Sequence, residues 1–310
     1  MVHHGQHKLR AEDGHDIRVQ AWRPDTPPTR VIQVLHGLGE YSQRYERFAA
    51  AAVERGMAVC VHDQRGHGPH ADHPGWFAAS DGWQKLIDDA ETVNDSIREQ
   101  FPGTPIVLLG HSMGSYVAQN FAMYHGSRID ALLLSASMWP SRLKLYLALL
   151  IAYAEGWRAG LPNHSGLLQH IGFGGFNRPF KPARTDLDWL SRDEAEVDKY
   201  IADPLCGGPF TCGLLRDLFG GLVRIYSDQE LMRIPSDLPI LITGGEKDPV
   251  GGDRGMGNLA THYAQTLHSR LTVKIYPDGR HEMLNEINRD EVTADWLDWI
   301  EATTRSAHSG

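Results

Sequence analysis

Residues 106–114 read Ile106-Val107-Leu108-Leu109-Gly110-His111-Ser112-Met113-Gly114. The four leading apolar residues predict a buried strand, the G-x-S-x-G pattern a sharp turn, and the residues after Met113 a helix. Both glycines then have a steric reason, because a side chain at either position would collide where the helix folds back against the strand. Ser112 is expected to stand exposed above the end of the strand, placed as a nucleophile. The competing reading is a Gly-rich turn that carries an ordinary serine, and the strand and helix on either side argue against it.

The same alternation of short apolar runs and helical stretches continues in both directions. Apolar runs at 31–35, 57–61, 131–134, 239–243 and 271–275 read as strands, and helices are predicted over 48–55, 83–100 and 292–302. Near the start, Ile17, Val19 and Ala21 alternate in the strand manner after Asp13-Gly14, a dipeptide suited to a hairpin turn. The expected fold class is therefore α/β, with a mostly parallel central sheet and helices on both faces. Between 138 and 235 the rhythm is lost, and this stretch reads as an inserted helical lid. Residues 1–137 and 236–310 form the expected core.

Composition narrows the function classes. With 310 residues and 41% apolar side chains the chain can bury a large core, and its net charge of -9 lacks the basic footprint of a nucleic-acid binder. A small molecule is the expected partner, and the oligomeric state is not encoded in any visible signal. Cys60, Cys206 and Cys212 make an odd set with no CxxC spacing, as in a reducing compartment. Met1-Val2-His3-His4-Gly5-Gln6-His7 has no apolar h-region, so a cytoplasmic location is expected. The longest apolar run, 145–154, is about half the roughly 20 residues that a bilayer requires.

A serine nucleophile needs a base to take its proton and a carboxylate to hold that base in the right tautomer. His281 follows the predicted strand 271–275, and Asp248 follows 239–243 through Gly244-Gly245-Glu246-Lys247; both fall where sites form in open α/β sheets. Glu246 and Asp278 are rival acids, while Glu282 is expected to cap the following turn. His262 and His268 fall in a helical stretch and read as surface positions. Donors for a developing oxyanion are expected from the backbone N–H of Met113 and of Leu38, the latter in His36-Gly37-Leu38-Gly39-Glu40.

Five segments together resemble a known group: His36-Gly37-Leu38-Gly39-Glu40, Asp63-Gln64-Arg65-Gly66-His67-Gly68, Gly110-His111-Ser112-Met113-Gly114, Gly245-Glu246-Lys247-Asp248-Pro249-Val250 and His281-Glu282-Met283-Leu284-Asn285-Glu286. They are similar to the monoacylglycerol lipase and lysophospholipase group of the α/β-hydrolase superfamily, related to the serine aminopeptidases. The resemblance implies an α/β-hydrolase fold, a nucleophile at Ser112, an acid at Asp248, a base at His281, and oxyanion donors at Leu38 and Met113. It also implies carboxylic-ester chemistry with no metal and no cofactor. Lids in this group vary and set acyl and head-group preference, so the segment 138–235 gives no substrate.

Three further features have readings of their own. His67, His70 and His73 recur beside Asp72, but Gly66, Gly68 and Pro69 make this a loop, better read as a turn supporting the site than as a metal cluster. The run 143–153 is too apolar for one helix stripe; lining an acyl pocket, packing against the core, or lying shallowly on a lipid surface are the three options. Glu194 and Glu196 would serve a rival aminopeptidase by binding a free amine, although a solvated helix face explains them as well. A non-catalytic ligand-binding protein of the same fold is the remaining alternative. Epoxide hydrolase and dehalogenase chemistry would need a carboxylate where Ser112 stands.

Overall fold

The computed structural model describes residues 3–266 and 269–304, so His268 lies outside the described residues. The strands are β1 (His3–Arg10), β2 (Asp16–Arg23), β3 (Val31–Leu35), β4 (Ala58–His62), β5 (Ile106–His111), β6 (Ala131–Ser135), β7 (Ile240–Gly245) and β8 (Leu271–Tyr276). They lie in the order β1-β2-β4-β3-β5-β6-β7-β8. β1 and β2 form the antiparallel hairpin, closing at Arg10 opposite Asp16, and β2 meets β4 antiparallel. All pairs from β4 to β8 are parallel.

Flanking helices α1 (Glu46–Glu54), α2 (Gly82–Gln100) and α3 (Met113–His125) precede the insertion. It holds α4 (Arg142–Ala159), α5 (Gly166–Phe173), α6 (Glu194–Ala202), α7 (Cys212–Ile225) and α8 (Asp228–Leu231), and α9 (Gly252–Gln265) and α10 (Arg289–Thr303) follow it. The apolar runs are continuous because the sheet is covered on both sides. Ile106 and Leu108 of β5 enter one core cluster with α2, α3 and α9, while Val107 and Leu109 enter the other with α1 and α10. Consecutive side chains of one strand thus go to opposite cores.

The order of strands also fixes where a site can form. From β3 the chain goes to β4 on one side and then to β5 on the other, which opens a crevice beyond the carboxyl ends of β3 and β5. The loops after those strands carry Leu38 and Ser112. The insertion is rooted in the same body: Leu214, Leu215, Leu218, Leu222 and Ile225 of α7 join the core cluster of α2 and α3. This packing is close, since a Cβ added at Gly213 would lie 2.1 Å from the Trp76 ring and one at Gly221 2.1 Å from the Trp83 ring.

Candidate active site

Ser112 occupies the turn between β5 and α3 with φ 50° and ψ −119°, a backbone conformation that costs a side-chain-bearing residue on the order of 1–3 kcal/mol. The neighbouring glycines make that turn feasible. An added Cβ at Gly110 would fall 2.3 Å from the Gly114 carbonyl oxygen, and one at Gly114 would fall 2.0 Å from that of Leu35. The Ser112 N–H donates to the Ser135 carbonyl at 2.9 Å, which ties the turn to β6.

The loops after β7 and β8 bring two side chains to this serine. His281 Nε2 lies 2.9 Å from Ser112 Oγ, and His281 Nδ1 lies 2.9 and 3.0 Å from the two carboxylate oxygens of Asp248. Carboxylates only accept, so the network assigns the proton to Nδ1 and leaves Nε2 as the acceptor facing the hydroxyl. That is the tautomer a base requires. The rival carboxylates stand elsewhere: Glu246 accepts from the Asp278 N–H at 3.1 Å and pairs with Lys247 at 3.1 Å, and Asp278 lies exposed in a turn at φ 56°.

His281 is buried, which disfavours its charged form, yet the charge and hydrogen bond of Asp248, helped by Glu282 and Glu40, raise its pKa above the ordinary 6.5. His111, one residue before Ser112, is pushed down to about 4 by burial. Its ring lies 5.1 Å from that of His281, and the Trp189 ring lies 5.0 Å from it.

Leu38 and Met113 both border the cavity in front of Ser112. The Met113 N–H opens α3 and has no carbonyl one turn earlier to bond, and among the described residues neither it nor the Leu38 N–H donates to a protein group. The loop bearing Leu38 is held from several sides. The Gly37 N–H donates to Glu40 Oε1 at 2.5 Å, the Tyr45 hydroxyl donates to the same oxygen at 2.9 Å, and the Gln64 N–H donates to His36 Nε2 at 2.9 Å.

One connection was not foreseen from the sequence. Arg44 donates to both carboxylate oxygens of Glu282 at 2.7 Å and to Glu40 Oε2 at 3.3 Å, so a nearly buried guanidinium joins the Leu38 loop to the His281 loop. The expectation for Glu282 is thereby corrected: its carboxylate does not cap the next turn but binds Arg44 and accepts from the Asn285 side chain at 3.0 Å. Burial would push Glu282 up, but Arg44 outweighs it and holds the carboxyl at about 2. The i,i+4 spacing of Glu40 and Arg44 was the available signal, whereas their shared partner lies far along the chain.

A cavity of about 630 Å³ opens in front of Ser112. Phe173, Phe176, Trp189, Phe210, Leu218 and Leu222 from the insertion make its apolar wall, and Glu40, Gln169 and Tyr200 are among its polar borders. Residues 143–153 line none of it, which overturns the acyl-pocket reading of that run. α4 instead packs Leu145 and Ala152 inward and exposes Leu143, Tyr146, Leu147, Leu150, Tyr153 and Trp157. The acidic pair is also off the cavity: Glu196 bridges Arg47 at 2.9 Å, and the Glu194 side chain is 77% exposed.

The loop after β4 works as a support. Arg65 joins Asp89 and Asp13 at 2.7 Å each, and Asp63 accepts the Ser42 N–H at 2.8 Å. Burial pushes His67 down to about 3, and its Nδ1 pairs with the Arg65 carbonyl at 2.9 Å. Among the described residues no group of three or more His, Cys, Asp or Glu side chains is placed to hold a metal ion.

The profile of the serine aminopeptidase S33 family, Hydrolase_4, matches residues 26–288. The chain belongs to this family. Its α/β-hydrolase fold is similar to that of a thermostable carboxyl esterase from Bacillus coagulans, solved with glycerol, which superposes with a TM-score of 0.89 at 25% identity over 98% of this chain and 99% of that one. In sequence the chain is 26% identical to a monoacylglycerol lipase of Mycolicibacterium smegmatis, over 95% of this chain and 96% of that protein. It is 28% identical to the human monoglyceride lipase, over 89% of this chain and 82% of that protein. The family match thus runs from β3 to β8 and includes residues 138–235.

Proposed function

We propose that this enzyme, a carboxylic ester hydrolase, cleaves monoacylglycerols, lysophospholipids or similar single-chain acyl esters through an acyl-enzyme on Ser112. The observation that carries the reading is the Asp248–His281–Ser112 relay at the mouth of an apolar-walled cavity. His281 Nε2 takes the Ser112 proton as Oγ bonds to the acyl carbon, and the carbonyl electron pair moves to oxygen beside the Leu38 and Met113 N–H groups. The returning proton goes to the alcohol as the ester bond breaks. Water, deprotonated by the same imidazole, then attacks the acyl-enzyme and frees the acid.

In this proposal the segment 138–235 is the lid, and its aromatic wall receives the acyl chain. The exposed apolar stripe of α4 makes transient contact with a lipid surface, because residues at 143, 146, 147, 150, 153 and 157 fall on one helical face and end in Trp157, which is 90% exposed. Among the described residues no helix is long and apolar enough to cross a membrane. A cytoplasmic setting, suggested by the unpaired cysteines, completes the reading. The aminopeptidase alternative is less supported, since Glu194 and Glu196 lie off the cavity and Glu40 and Glu282 are engaged by Arg44.

Two measurements test the proposal. Ser112→Ala should lower turnover of a short p-nitrophenyl ester by several orders of magnitude and abolish labelling by a fluorophosphonate, whereas near-native turnover would refute the mechanism. A panel of monoacylglycerols, lysophospholipids and amino-acyl anilides should show preference for the acyl esters. Preference for the anilide would replace the substrate assignment with a peptidase one.

A further inference from the structure

Resting on the reading of His281 as the base, we propose that Trp189 is a positioning residue of the reaction, whose indole backs the imidazole and stabilises the imidazolium formed as Ser112 attacks. The two rings stand 5.0 Å apart, centroid to centroid, at an interplanar angle of 48°. That separation is inside the roughly 6 Å within which an aromatic ring attracts a cation, and tryptophan is the strongest of the aromatic partners. The ground state carries a neutral imidazole and the transition state a charged one. The attraction therefore acts on the step that needs it.

The backbone shows that this contact is built rather than incidental. The segment around Trp189 is fastened along the His281 loop: the His281 N–H donates to the Trp189 carbonyl at 3.4 Å and the Glu282 N–H to the Leu190 carbonyl at 2.8 Å. Ser191 Oγ then donates to the Asn285 carbonyl at 2.8 Å. Glu286, fully buried, anchors both sides by accepting from the Arg280 N–H at 2.9 Å and from Arg192 Nε at 2.9 Å. The Trp189 N–H is held in turn by Asn177 Oδ1 at 3.0 Å. Because Trp189 belongs to the insertion and borders the cavity, a residue that reads as substrate wall also touches the base.

The titratable groups around the imidazole are Asp248, His111, Glu282 and Glu40, with Arg44 engaging the two glutamates, and among the described residues the Trp189 side chain hydrogen-bonds to none of them. Trp189→Leu keeps the ring covered but removes the π face. On a short p-nitrophenyl ester it should lower kcat about threefold. It should also move the acid limb of kcat/KM to lower pH by about half a unit, since the cation is no longer favoured. Trp189→Phe should retain most of both. Phe176→Leu, a cavity-wall change whose ring meets Trp189 at 4.9 Å, should raise KM for long acyl esters and leave the acid limb in place.

Active-site titration with a fluorophosphonate and thermal melting would correct each rate for the folded fraction. If Trp189→Leu does not fold, a fluorinated tryptophan at position 189 keeps the shape, weakens the face, and should move the limb in the same direction. The inference is overturned if kcat and the acid limb on the short ester stay within experimental error of the wild type while only KM for long esters rises. A fall in kcat with an unmoved limb overturns the charge-stabilising part. Failure of the base assignment itself would show separately, as activity surviving His281→Ala.

Discussion

Asp248 and His281 illustrate which single residues a sequence exposes. Each follows an apolar run that ends at the carboxyl edge of the sheet, so position together with the family resemblance nominates them, yet loop position by itself does not separate Asp248 from Glu246 or Asp278. The geometry separates them, because only Asp248 reaches His281 Nδ1. Asp248→Asn should lower kcat by about 10⁴ through the wrong tautomer, whereas Glu246→Gln and Asp278→Asn should change it by less than about threefold, all read on one soluble ester. The pH dependence follows from the raised pKa of His281. Protonation removes the base, so kcat/KM should fall on the acid side with a midpoint above 6.5, the ordinary imidazole value, in a profile taken across that range. Arg44 and Trp189 gave no comparable signal. Their roles come from partners far along the chain, Glu282 and His281, that only the folded chain brings near.

Among elements, the core strands were readable because burial on both faces leaves a run with no polar interruption, and the helices because one face repeats. α4 shows where that stops being enough. Its sequence announces too much apolar surface for one stripe, but which side is covered depends on α7, the helix that packs against it. The stripe left outside Leu145 and Ala152 should be expendable for chemistry and needed at an interface. Replacing Leu147 and Trp157 together by serine should weaken partition onto phospholipid vesicles and slow hydrolysis of vesicle-borne monoacylglycerol, with turnover of a soluble short ester within about twofold of wild type. α7 makes an opposite kind of demand. Gly221→Ala would drive a methyl into the Trp83 ring, 2.1 Å away, and should cost about 1–3 kcal/mol of stability in a denaturant titration.

For the whole molecule, the ion network around Arg44 links stability to pH. Arg44 holds the buried Glu282 carboxyl down to about 2 from its ordinary 4.5, so protonation is disfavoured in the folded state. That group's contribution is complete above 4.5 and disappears as pH falls through about 2. The denaturant midpoint should therefore drop steeply between about pH 5 and about pH 2. Arg44→Met should reverse the group's part of that slope, because burial then raises the carboxyl, and should lower stability at neutral pH by about 3–5 kcal/mol as the buried carboxylate loses its partner.

β6 and β7 are neighbours in the sheet, although Ser135 ends one and Ile240 begins the other. During synthesis β6 must therefore wait for roughly a hundred further residues to leave the ribosome, about 5–20 s at ordinary elongation rates. Throughout that interval Leu132, Leu133 and Leu134 present an unpaired apolar edge to the crowded medium, and any other nascent strand can dock there first. The yield of active enzyme from a cell is therefore expected to respond to translation speed and chaperone supply as well as to the stability of the finished fold.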